Sequence, residues 1–412
     1  MELSKMVKRI AAIGFIVVCT SIAWAILGST IFYRTYSTDE RLKGRVSSSW
    51  GTTQEQTPPT AGYQIISHRQ VASTENGVVG VRSVEEKSWI TLPLEQTRAN
   101  AALQLDYRKK GLLWYSTYQV DFSGGYRFSN PSDQAREVTF RMALPASQAV
   151  YDGMIFSVND AAVAITSEKN EAVATVQLQP HETAALRVAY RSHGLDSWSY
   201  GFGHEVTQVK DFQLHVTTNF AGFDLLENTL SPTEEVRQAN GWDLVWNYKN
   251  LVSGYHVGIA LPQKLQPGPL AGRISYFAPV SLLFFFFALF LLTTVRGIEL
   301  HPMNYFFLAC AFFSFHLLMA YLVDHVSIHV ALVICSAVSI LLLVSYLRLV
   351  AGMSAALLEA GLAQFVYLVL FSYAFFFEGF TGLAITIGAI LTLFIAMQST
   401  ARIRWAEKFA LR

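Results

Sequence analysis

ISYFAPVSLLFFFFALFLLTTV, residues 274–295, contains no Asp, Glu, Lys or Arg and is followed at once by Arg296. A helix needs roughly 20 predominantly apolar residues to cross the hydrocarbon core of a bilayer, so this stretch reads as a span. Four more apolar runs follow, at Met303–Val323, Val326–Leu347, Ala355–Phe377 and Phe380–Met397, and one precedes it at Ile10–Ile31. Six transmembrane helices are expected. Ala23-Trp24-Ala25 has the small-x-small form of a signal-peptidase site, but the apolar run continues past it to Phe32. That length favours an uncleaved anchor over a leader.

The composition agrees with a chain partly in lipid. Of 412 residues 52% are hydrophobic and 15% charged, where a soluble domain carries roughly 25% charged. A net charge of +1 leaves no basic excess for a phosphate backbone, which argues against nucleic-acid binding. Cys19, Cys310 and Cys335 all fall in apolar runs, so the polar part of the chain has no thiol for a disulfide or a thiolate metal site.

Lys and Arg beside the spans set the orientation. With the N-terminus in the cytoplasm, Lys5, Lys8, Arg9, Arg296, Arg348, Arg402, Arg404, Lys408 and Arg412 share that side, whereas the loops Asp324-His325 and Glu378-Gly379 have no basic residue but histidine. Arg34, Arg41, Lys43 and Arg45 follow the first span on the outer side and blunt the bias of that helix alone. The expected division is a cytoplasmic N-terminus and anchor (1–32), a periplasmic β-rich domain (33–270), a five-helix bundle (271–398) and a basic cytoplasmic tail (399–412).

In the insert the pattern changes to period two, the mark of strands with one wet and one dry face. Leu113–Phe122 and Glu137–Leu144 alternate clearly, and similar stretches lie at Met154–Val158, Ala172–Leu178, Ala185–Tyr190, Phe212–Thr218, Trp242–Tyr248 and Tyr255–Leu261. Turn chemistry falls at Ser123-Gly124-Gly125, Asn130-Pro131-Ser132, Gln179-Pro180-His181 and Ser231-Pro232-Thr233. About ten short strands without a long helical period predict an antiparallel sandwich, one or two deep. Residues 54–62, with Pro58 and Pro59, read as a loop, and Gln266-Pro267-Gly268-Pro269 as a stiff, helix-incompatible joint.

Few residues propose chemistry. His325 and His329 lie four apart at the outer start of a predicted helix, a metal-site spacing, but nothing nominates a third ligand; with Asp324 they read more simply as the wet end of a span. His316 lies deep in the third span and needs a hydrogen-bond partner on another helix. Glu359 and Glu378 lie at opposite ends of the fifth span, with Arg348 a candidate partner for Glu359. His204-Glu205 starts a zinc-protease motif that Gln208 breaks, and neither a nucleophile elbow nor a phosphate loop occurs. No catalysis and no cofactor are expected. The outer tryptophans read as packing before ligand surface.

Leu300-His301-Pro302-Met303-Asn304-Tyr305 resembles the Leu-His-Pro-Met-Gln-Tyr segment of the CreD family of bacterial inner-membrane proteins. Phe315–His325, FHLLMAYLVDH, is similar to that family's Phe-Tyr-(Leu)n-Ser-Glu-His stretch, and Ser48-Ser49-Trp50-Gly51 with Gln54 echoes a segment after its first span. The resemblance marks His301, Pro302, Tyr305, Asp324 and His325, and leaves out His316 and His329. Thr57-Pro58-Pro59 stands where the family continues into Gly-Pro and a hydrophobic strand. The resemblance implies an integral membrane helical bundle with an inserted periplasmic antiparallel β-sandwich-like domain. It also implies a role in cell-envelope integrity or stress response with no defined reaction. The expected partners are the bilayer and periplasmic or inner-membrane proteins; a transporter or ligand sensor is the alternative.

Overall fold

The computed structural model describes residues 2–75, 78–110, 113–203, 207–298, 300–352, 359–377 and 379–401. His204-Glu205, Glu378, residues 355–358 of the fifth predicted span and the basic residues from Arg402 onward lie outside these, as do the side chains of Lys5, Lys8 and Arg9. The chain divides into two compact units: residues 1–41, 111–113 and 265–412 form one, and residues 42–110 and 114–264 the other.

The first helix, α1 (Glu2–Trp50), runs on well past the apolar stretch that predicted it. This corrects the expectation that residues 33 onward carry no helical period: Leu42 and Val46 lie one turn apart and both are buried. Four further helices complete the set that is long and apolar enough to cross a membrane. They are α2 (Pro267–Arg296), α3 (Pro302–Leu322), α4 (Ile328–Ala351) and a last helix, Thr381–Thr400. Within the expected fifth span of six, the described residues give an apolar helical segment, Gly361–Phe376. It passes from α to a π turn at Phe365–Leu370, back to α, and ends in a 3-10 turn at Ala374–Phe376.

The joint at Pro267 also needs correction. Pro267 opens α2 instead of keeping a helix away, because the first turn has no intrahelical use for its N–H groups and proline forfeits nothing there. The first bond of the helix runs from Leu270 N–H to the Gln266 carbonyl, 3.3 Å.

The second unit holds seventeen strands among the described residues. In chain order they are β1 (Gln54–Gln56), β2 (Thr60–Glu75), β3 (Val78–Thr91), β4 (Leu94–Lys110), β5 (Leu113–Ser129), β6 (Arg136–Ala143), β7 (Tyr151–Val158), β8 (Ala161–Ala162) and β9 (Thr166–Glu168). Next come β10 (Glu171–Leu178), β11 (Thr183–Leu195), β12 (Ser197–Tyr200), β13 (Thr207–Thr218), β14 (Asp224–Leu225), β15 (Glu234–Gln238), β16 (Gly241–Ser253) and β17 (Val257–Ala260). They form three sheets, ordered β15-β16-β13-β4-β5-β11-β7-β8, β3-β2-β6-β10-β9 and β1-β12-β17-β14. Two pairs are parallel, β1 with β12 and β4 with β13, so the domain is not wholly antiparallel.

One hydrophobic cluster draws on all three sheets, with Val120 and Phe128 from β5, Phe140 from β6, Leu214 from β13 and Ile259 from β17 among its members. The alternation in β5 and β11 predicts which side chains enter it. Two expected loops are strands. The run at Ser123-Gly124-Gly125 lies inside β5, opposite Ala189, Val188 and Arg187; a Cβ on Gly124 would meet the Tyr126 ring at 2.7 Å, so glycine there makes room for an aromatic neighbour. Residues 54–62 supply β1 and the start of β2, leaving only 57–59 as a link.

The strands β2 and β3 pair along Gly62–Glu75 and Val78–Thr91. The opposite edge of β2 meets β6 only over Thr60–Gly62. Beyond that point the pair is a two-stranded ribbon, and its side chains from Ser67 to Gln70 and from Glu85 to Thr91 are exposed.

Candidate functional site

The resemblance motifs fold into helix ends and cross-ties. His301 caps α3, its Nδ1 accepting from Met303 N–H at 3.2 Å, and Pro302 takes the first helical position. Leu300 and Tyr305 are buried, the Tyr305 ring standing edge-on to Phe286 at 5.3 Å. Next to it, Tyr346 of α4 donates its hydroxyl to Asn304 Oδ1, 2.8 Å. The segment thus starts a helix and pins it to its neighbours.

Asp324 lies just past α3 and is paired with Arg34 of α1, 3.3 Å from guanidinium to Oδ2. Arg34 also donates to the Ala320 carbonyl at 2.7 Å and lies over the Tyr321 ring. A cation here satisfies the free carbonyls and the negative end of α3. Arg34, which blurs the orientation of the first span when charges alone are counted, is the partner that makes Asp324 tolerable.

His325 and His329 do not share a helix face. Helix α4 starts only at Ile328, behind Ser327, so His325 lies in the preceding turn and is exposed. The His329 ring packs on Phe376 at 5.1 Å. Among the described residues no group of three or more His, Cys, Asp or Glu could hold a metal ion.

His316 is 1% exposed. Its partner is on its own helix, not on another: Nδ1 lies 3.3 Å from the Phe312 carbonyl one turn back. The ring is enclosed by aromatics, edge-on to Trp24 of α1 at 5.6 Å. Glu359 pairs with Arg296 at the end of α2, not with Arg348.

One polar tie of the bundle runs through a residue that the sequence reading passed over. Gln364, fully buried, donates to Ser339 Oγ of α4 at 2.6 Å, and Ser339 donates to the Ala311 carbonyl of α3 at 2.6 Å. One residue further begins the π turn, whose Tyr367 carbonyl accepts from Ser281 of α2 and whose Tyr367 hydroxyl donates to Thr392 of the last helix at 3.0 Å. An uncharged amide in the middle of an apolar run was the available signal.

In the β unit the echo at Ser48–Gln54 becomes a clamp. The Trp50 ring has the Arg108 guanidinium 3.2 Å from its centroid and the His193 ring at 4.3 Å. Gly51 has φ +129, and a Cβ there would collide with the His193 carbonyl oxygen. Gln54 donates to that carbonyl and to Ser192 Oγ, both at 2.8 Å. Burial, helped by Arg108 and Arg191, holds His193 below the usual histidine range. The unfolded chain takes up a proton near pH 6.5 that the folded clamp resists. The stability this gives is therefore present above that pH and is lost as pH falls through it toward the lowered value. The melting temperature of the full chain in detergent is expected to fall between about pH 7.5 and about pH 5.5, and to fall less in His193→Gln; parallel slopes would remove His193 from the account.

A bundle of membrane-crossing type carrying a large multi-sheet β domain is the class of protein that these units define. Residues 241–406 match the family described as inner membrane protein CreD, so the likeness seen at Leu300–Tyr305 holds over that whole stretch. No curated protein matches the chain. Among solved structures it is similar to a putative nutrient binding protein from Legionella pneumophila, at 10% identity and TM-score 0.34 over 57% of this chain and 76% of that one. It is also similar to an M1 zinc metallopeptidase from Deinococcus radiodurans, at 12% identity and TM-score 0.27 over 41% of this chain and 42% of that one. The chain thus spans under half of the peptidase, and likenesses this remote carry neither reaction nor ligand across.

Proposed function

We propose that this is an inner-membrane protein that maintains the cell envelope as a scaffold, its β domain in the periplasm and both termini in the cytoplasm. One observation carries the reading: five polar contacts in the bundle tie one helical segment to another. Arg34–Asp324 joins α1 to α3, Tyr346–Asn304 joins α3 to α4, Gln364–Ser339 joins the bent segment to α4, and Ser281 and Thr392 tie that segment to α2 and to the last helix. Such a belt resists the rocking of one half against the other that alternating access requires. The π turn favours a second reading, a ligand sensor, because π turns in α-helices recur at functional sites.

In-cell crosslinking from the β domain tests the scaffold: a reproducible periplasmic or inner-membrane partner is expected, and none in any growth state would reject it. His316→Phe separates the readings, since a scaffold keeps its partner and a sensor loses its response while expression holds. Reporter fusions at Lys264 and Arg412 check the topology; a cytoplasmic signal at Lys264 would overturn it.

A further inference from the structure

A groove of about 720 Å³ opens between α2, the bent segment and the last helix. Its walls are apolar, with Phe287 and Leu291 on one side, Val366 and Leu370 on the second, and Gly388 and Ile395 on the third. The last helix stands away from its neighbours along most of its length, with Ala396 its one buried residue. A space of this size falls within the roughly 300–1,000 Å³ usual for small-molecule sites. Glu359 lines one end, and Arg296, half-exposed, is paired with it there.

We propose that this groove seats one phospholipid with an amine headgroup, an acyl chain lying along the apolar walls and the headgroup at the Arg296–Glu359 pair. The inference rests on the membrane reading above. The charge pattern selects the occupant. A phosphate drawn to Arg296 displaces the Glu359 carboxylate and would leave it unpaired in a site where it is 20% exposed, which is costly. A headgroup that brings its own ammonium restores the balance, phosphate to Arg296 and ammonium to Glu359. An anionic glycerol headgroup supplies only the first contact and adds repulsion against the second. Gly388 gives a handle on the chain-binding half, since nothing lies within 4 Å of where its Cβ would be. A leucine there fits the helix and fills the groove.

The test is native mass spectrometry of the full chain, purified in detergent and stripped of lipid, with phosphatidylethanolamine or phosphatidylglycerol of identical acyl chains added. One phosphatidylethanolamine per chain is expected, retained at least about tenfold better than phosphatidylglycerol, a difference of about 1.4 kcal/mol. Glu359→Gln should abolish or reverse the preference without removing the chain contact, and Gly388→Leu should remove retention of both lipids. Equal retention of the two lipids by the unaltered protein, an unchanged preference in Glu359→Gln, or full retention by Gly388→Leu would each overturn the proposal. Recovery of the folded chain from cells without detergent would instead overturn the membrane reading, so the two failures are distinct.

Discussion

Replacing Gly51 by alanine is expected to cost about 4 kcal/mol and to loosen the β domain where the chain enters it. Two penalties coincide at this position. A φ of +129 is a conformation that an L side chain rarely adopts, and the added Cβ has nowhere to go because the obstacle is the backbone carbonyl of His193. Relief requires moving either Trp50, in contact with Arg108 and His193, or β11, which Gln54 holds through two hydrogen bonds. Gly44→Ala is the control. Gly44 lies within α1, seven residues before Gly51, with open space around it, and alanine there should be neutral or stabilise by up to about 1 kcal/mol. Hydrogen exchange over 54–56 and 192–200 in both variants reads the difference. Protection in Gly51→Ala equal to that in Gly44→Ala would mean that the clamp does not hold β1.

Trp24→Ala is expected to remove about 3–5 kcal/mol from the helical bundle. Trp24 is fully buried and meets Phe312 at 6.1 Å, Phe313 at 5.3 Å and His316 at 5.6 Å, all edge-on. Alanine would leave a void among rings too large to close around it. Phenylalanine should cost far less, about 1 kcal/mol, because the indole N–H has no acceptor among the described residues and nothing polar is lost with it. Thermal unfolding in detergent, followed by loss of monodisperse protein, should rank wild type, Trp24→Phe and Trp24→Ala in that order, the last well separated. If alanine matched phenylalanine, the aromatic contact between α1 and α3 would not be holding the bundle. Trp24 is also the middle residue of the small-x-small sequence that invites cleavage, and a chain cut after Ala25 would lack this contact.

How far the sequence was readable differs between the two solvents. Apolar runs place α3, α4 and the last helix to within a few residues and the end of α2 to within one, while α2 begins seven residues before its run. Strands with one buried face, β6 and β10, are legible because their alternation is the imprint of a core. The ribbon of β2 and β3 leaves no alternation to read where its side chains are described, because Ser67–Gln70 and Glu85–Thr91 meet water on both faces. Gly124 and Gly125 read as a turn although they lie mid-strand, since a glycine needed to admit a tyrosine ring has the same letter as one needed for a tight bend. In the bundle, Asp324, His316 and Glu359 stand out in the sequence as polar groups within or beside apolar runs, but their partners do not. Arg34 is 290 residues away from Asp324, and Gln364 carries no charge to draw notice. Pairings of that kind are set by packing, which a single sequence does not display.

The ribbon has a consequence for how the molecule comes apart. Past Gly62, each amide on β2 and β3 has at most one neighbouring strand to bond to, and two strands alone are marginal in water. Deuterium should enter there long before it reaches β5, which is flanked on both sides. A protease added to intact protein should make its first cut in the same place, trimming the arm while the rest of the β domain stays whole.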